Sequence, residues 1–98
     1  MLSISYKNTQ TVNEKAQPQK RLAVVAIMVE DVSAVQRVNL LLSEYGVYVV
    51  GRMGLPNVAE GVNVISIVMS APAEIINALT GKLGSISGVN AKTLFSRV

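Results

Sequence analysis

The chain contains neither Cys nor His. A disulfide framework, a thiolate nucleophile, an iron–sulfur cluster and a typical zinc or nickel site are therefore excluded. Imidazole acid–base chemistry near neutral pH goes with them. Metal binding would fall to six carboxylates, none of them in a D-x-D-x-D-G loop that could wrap a calcium ion. No metal or cofactor is expected. Two groupings still have residue types suited to holding a ligand. Arg52 stands between Gly51 and Gly54, so a fork of guanidinium donors is flanked by bare backbone. It reads either as an anion ligand beside a glycine-lined pocket or, more simply, as a solvated charge that guards a strand edge. Asp31 follows Glu30 just ahead of a helical pattern. It stands where a helix N-terminus offers N–H groups to a polar ligand, or where Asp31 merely caps the helix. Gly81-Lys82 superficially suggests a phosphate loop. It ends a helical pattern instead of joining a strand to a helix, so it reads as helix termination.

The charge balance narrows the partners. Residues 1–20 hold three lysines against Glu14, a net +2, and the rest holds six basic against five acidic groups, a net +1. The cations of the main body, Arg21, Arg37, Arg52, Lys82, Lys92 and Arg97, are scattered. A nucleic-acid footprint would cluster them, so no direct nucleic-acid binding is expected. No apolar run approaches the roughly 20 residues that cross a bilayer, and the N-terminus lacks a signal-peptide apolar segment. The expected location is the cytoplasm, away from membranes.

Half of the 98 residues are apolar and 15% are charged, which calls for one packed domain. Residues 1–20 have the composition of a flexible N-terminal tail, although Leu2, Ile4 and Tyr6 alternate with polar residues and could add a short edge strand. The domain proper spans 21–98. Residues 22–29 form a run apolar at both parities, as in a strand covered on both faces. Val32, Val35, Val38, Leu42 and Tyr45 recur at helical spacing, with Gly46 as the stop. A second strand covers 47–55 and ends at Pro56, and the connection 57–61 leads to a third strand at 62–70. There Ile65, Ile67 and Met69 share one face, and Val64, Ser66 and Val68 the other. Pro72 and Glu74 mark a helix start, Ile75, Ile76, Leu79 and Leu83 supply its buried stripe, and 89–95 is the last strand.

Strand, helix, strand, strand, helix, strand is the order of a ferredoxin-like βαββαβ (split-βαβ) sandwich. This is an α+β fold with a four-stranded antiparallel sheet and two helices on one face. Its first and third strands are central, and its second and fourth lie at the edges. The helices cover one face of the sheet, yet the first strand is apolar on the other face as well, which calls for a partner there. A homodimer or dimer of dimers through the sheet is expected.

The chemistries this architecture hosts find little support. An acyl phosphate would need an Arg cradle after the first strand, where Glu30-Asp31 would repel it. Base stacking on RNA would need aromatics on the first and third strands, which have none. A copper carrier would need C-x-x-C. The chain reads as a non-enzyme.

Three stretches taken together carry a resemblance: Val50-Gly51-Arg52-Met53-Gly54-Leu55-Pro56, the strand Val62 to Val68, and Ile76 to Thr93 with its L-x-G-K-L-G-x-I-x-G-V pattern. Over about residues 21–96 they resemble the family named as iron-only hydrogenase system regulators. Those are small stand-alone ACT-like domains, similar in shape to the C-terminal domain of the nickel-responsive repressor. The resemblance implies a ferredoxin-like fold, oligomerisation and a regulatory role, without an established ligand; the expected function is a non-catalytic domain that senses a small ligand or binds a partner protein. It does not extend to nickel, since the ligating His and Cys are absent. With no helix-turn-helix or ribbon-helix-helix segment, an effect on transcription would need a partner chain. In ACT-like sensors ligands sit near the first strand–helix junction and the neighbouring edge. The resemblance thus implies Glu30, Asp31 and Val32, together with Arg52, Met53, Gly54 and Asn57. A purely structural interaction module without a ligand is the competing expectation.

Overall fold

The computed structural model describes residues 2–6 and 19–97. The reading of 1–20 as a flexible tail falls mostly on residues outside these. Seven regular elements follow in order: β1 (Ser3–Tyr6), β2 (Arg21–Val29), α1 (Val35–Glu44), β3 (Val49–Ala59), β4 (Val62–Ala71), α2 (Ala73–Gly84) and β5 (Val89–Phe95). The strands form one antiparallel sheet in the order β1-β3-β4-β2-β5. The fold is α+β, with five strands where four were expected. The added strand is β1, whose Ser3 to Tyr6 pair with Gly54 to Gly51. Consequently β3 is not an edge: its outer backbone groups have found a partner from the N-terminal segment.

Alternation explains the core. In β2, Ala23, Val25, Ile27 and Val29 are buried, whereas Leu22, Val24, Ala26 and Met28 are exposed. The buried set faces Val38 and Leu42 of α1 and Ile76, Leu79 and Leu83 of α2, and all belong to one cluster with Ile65, Ile67 and Met69 of β4. Burying a side chain of this size contributes about 1.5–3 kcal/mol, so these stripes hold both helices on the sheet. Thr80 and Thr93 tie α2 to β5 through a hydroxyl–hydroxyl bond, and Thr80 Oγ1 also donates to the Ile76 carbonyl at 2.9 Å. No helix among the described residues is long and apolar enough to cross a membrane.

Three local expectations need correction. Val32 does not join the buried stripe; it lies 73% exposed in a 3₁₀ turn, Val32–Ala34, that precedes α1. Residues 46–48 form another 3₁₀ turn, so β3 begins at Val49 and not at residue 47. Nor does Pro56 end that strand. The register passes from Leu55↔Val64 to Ala59↔Val62, so three residues of β3 stand opposite one of β4. Pro56 sits in this bulge, where its missing N–H takes no donor from the ladder. The hairpin turn is thereby reduced to Glu60-Gly61, with Gly61 at φ +76°.

Candidate functional site

The junction after β2 is closed by hydrogen bonds. Asp31 Oδ1 accepts from the Ser33 N–H at 3.0 Å and from Ser33 Oγ at 2.8 Å, while its own carbonyl accepts from the Ala34 N–H. These bonds stabilise the charged form, so the Asp31 carboxyl titrates below the ordinary value of 3.8. The Glu30 N–H donates to the Gly88 carbonyl at 2.7 Å. Gly88 has φ +81°, and a Cβ there would lie 2.5 Å from Asp31 Cβ. The Ser33 and Ala34 N–H groups at this helix start are thus answered from within the chain. Asp31 is a cap.

Arg52 lies in a different place. Its register row on the helix-facing side is Arg52, Ile67, Val25 and Thr93. Val29 is four residues further along β2, two strands away, which separates it from Arg52 by about 16 Å at ordinary sheet spacings. Arg52 Nη2 donates to Oδ1 of Asn39, on α1, at 3.2 Å. Between α1 and β3 opens a cleft of about 310 Å³, with Asn39, Ser43 and Arg52 as its polar side chains and Leu42, Val49 and Val50 as its apolar ones. Among the described residues no acidic one lines it. A second cavity, beside the start of α2, gathers Lys20, Arg21 and Arg97. There Arg21 is already engaged, its guanidinium 4.6 Å from the Phe95 ring centroid and Nη2 3.4 Å from the Ser96 carbonyl.

The seven candidates therefore do not form one site within a protomer. Glu30, Asp31 and Val32 group at the end of β2. Arg52 faces α1, and Gly54 shares its face of the sheet with open space where a Cβ would stand. Met53 alternates to the opposite face, which is helix-free among the described residues. Asn57 belongs to the hairpin, at φ +53°, where its N–H donates to Asn63 Oδ1 at 2.6 Å and its Oδ1 accepts from the Gly61 N–H at 3.4 Å.

The helix-free face carries a further, mainly apolar grouping. Ile4, Met53, Ser66, Ala26 and Lys92 stand in one row across it, flanked by Gly51, Val68, Val24 and Leu94 on one side and by Leu55, Val64, Met28 and Asn90 on the other. Exposure is 66% at Ile4, 73% at Leu94 and 49% at Leu22, and it remains near 40% at Val24, Met28 and Met53 in the middle. Lys92 and Asn90 confine the polar groups mainly to the β5 side.

Residues 21–93 match a family model, TM1266-like, described as "Iron-only hydrogenase system regulator, putative". The chain belongs to this family. A solved structure of the uncharacterized protein TM1266 from Thermotoga maritima is 38% identical to it, with a TM-score of 0.75 over 80% of this chain and 99% of that one. No curated protein matches. The TM1266-like match begins at Arg21, so β1 lies outside it. Within the match, the residues that sequence reasoning missed are Asn39 and Ser43. They occur four apart on α1, beside the buried Leu42, and that spacing was the available signal. Its pairing with a strand 13 positions away was not.

Proposed function

We propose that this chain is a non-catalytic regulatory protein that acts by association through the helix-free face of its sheet, with a second copy of itself as the occupant. Its frame is ferredoxin-like and ACT-like. With β1 set aside, the order β3-β4-β2-β5 puts the first and third strands in the centre, as a split βαβ sheet requires. The observation that carries the proposal is the apolar face just described. Monomers leave few such patches in water, because each buried Å² contributes roughly 25 cal/mol. Five strands at about 4.8 Å and seven residues at about 3.3 Å make a patch of about 550 Å² in projection, just below the roughly 600–1,000 Å² per partner that a standard interface buries. A two-fold dimer brings the same face of each copy together, so a second copy needs no other surface.

Regulation then means that a ligand or a partner protein shifts the association equilibrium, which requires differential affinity for the two states. Family membership supports that role. A purely structural module would use the same face and no ligand; the cleft beside Arg52 favours the regulatory reading. Light scattering behind size exclusion tests the proposal. At least twice the chain mass of 10.4 kDa is expected, and a mass of one chain at micromolar concentration refutes it.

A further inference from the structure

We infer that the cleft between α1 and β3 is a binding site for a small monocarboxylate with an apolar body, its carboxylate seated on Arg52. This deepens the regulatory reading by naming the class of ligand, and the two can fail separately. Charge comes first. Among the described residues Arg52 is the one charged residue lining the cleft, and there its guanidinium donates to the neutral amide oxygen of Asn39. A guanidinium carries five N–H donors in a planar fork that matches a carboxylate in two parallel bonds. The Asn39 contact uses one donor and holds the side chain against α1, so little rotamer freedom remains to be lost on binding. Arg52 is half-buried as a residue, and its guanidinium meets Asn39 at the exposed mouth of the cleft, where a ligand can reach it.

The walls specify the rest of the ligand. Leu42, Val49 and Val50 offer an apolar surface next to the guanidinium, and Asn39 and Ser43 add neutral polar groups. A volume near 310 Å³ is at the low end for small-molecule pockets, which run from roughly 300 to 1,000 Å³. One cation without a second suits a singly charged carboxylate better than a phosphate. A zwitterionic amino acid fits poorly, because among the described residues no acidic side chain lines the cleft to receive its ammonium. The site is also distinct from the Asp31 junction, where carboxylates repel an anion and both donors of Ser33 already go to Asp31.

Titrating the full chain with butanoate, 4-methylpentanoate, leucine and inorganic phosphate, followed by amide and side-chain NMR, tests the assignment. 4-Methylpentanoate is expected to saturate with a Kd on the order of 1 mM or tighter and to shift the resonances of Arg52, Asn39 and Ser43. Butanoate should bind more weakly, and leucine and phosphate at least tenfold more weakly. Arg52→Ala and Arg52→Lys should each lose tenfold or more, Asn39→Ala a smaller factor, and Arg37→Ala nothing. Absence of saturation refutes the inference, as does equal binding of leucine, tighter binding of phosphate, or a loss in Arg37→Ala equal to that in Arg52→Ala. Should Arg52→Ala fail to fold, Asn39→Ala and the ligand series decide the matter. Sizing the same samples separates the two proposals: a dimer that binds nothing sinks this inference alone, and a monomer that binds 4-methylpentanoate sinks only the self-association.

Discussion

Replacing Gly88 by Ala should be among the most damaging single-methyl changes in the domain, although Gly88 is neither in the core nor in a helix. Two separate costs combine there. A residue with a Cβ at φ +81° loses about 1–2 kcal/mol against glycine. The new Cβ would also stand 2.5 Å from Asp31 Cβ and 3.4 Å from Asp31 N, and neither atom belongs to the movable end of a side chain. Relieving that overlap requires the β2–α1 junction to shift away from the start of β5, which costs about 1–3 kcal/mol as overpacking. Reduced freedom of the unfolded chain returns about 0.4–1 kcal/mol. The net is a loss of about 2–4 kcal/mol, or roughly 10–25 °C in Tm for a domain of this length. Gly61→Ala is the control, since Gly61 has φ +76° but nothing within 4 Å of the Cβ position. It should cost only about 1 kcal/mol. Urea unfolding followed by circular dichroism measures both, with unchanged m-values as the condition for comparing midpoints. Adding Asp31→Gly to Gly88→Ala should restore part of the loss by removing the obstructing Cβ. Equal losses at Gly88 and Gly61, or no rescue by Asp31→Gly, would show that the close approach is not what requires glycine at 88.

Other outcomes follow from the same contacts. Asp31 titrates below 3.8 in the folded chain, so its contribution is present above that value and disappears as pH falls through the depressed folded one; Asp31→Asn should flatten the acid limb of the stability curve in urea titrations below about pH 4. Because Thr80 spends its hydroxyl proton on the Ile76 carbonyl, Thr93 must donate to Thr80. Thr80→Val should therefore cost about 1–2 kcal/mol by denaturant midpoint, and adding Thr93→Val should return much of it. Deleting residues 1–18 should leave a cooperatively folding domain, since the core cluster begins at Ala23; loss of cooperative unfolding would show that β1 is integral to the fold.

Most of the fold was legible because buried stripes repeat at the period of the element that carries them. Ile65, Ile67 and Met69 alternate, Ile76, Leu79 and Leu83 follow a helix, and residues 89–95 emerged with their observed boundaries. Where tertiary context decides, sequence reasoning went astray. Pro56 stops a strand only if its N–H would have faced a ladder partner, and a bulge removes that requirement. Val32 has the right spacing for the stripe, but Asp31 caps a tighter 3₁₀ turn and rotates Val32 outward. The alternation of Leu2, Ile4 and Tyr6 was visible, yet four residues become a strand only when an open edge such as that of β3 is available. For the candidate site, Arg52 was visible through its glycines. Its partner Asn39 was not, because the contact depends on how α1 lies across β3 and not on any local pattern.

The most direct test of association through the helix-free face is sedimentation velocity of the wild type beside Val24→Glu and Met28→Glu, each placing a charge in the middle of that face. Both side chains are about 40% exposed in the single chain, so the substitutions should leave the monomer fold and its circular dichroism intact. The wild type should sediment as a dimer or larger, and both variants as a 10.4 kDa monomer at the same micromolar concentration. A wild type that sediments as a monomer, or folded variants that keep the wild-type mass, would contradict the assignment of this face as the interface.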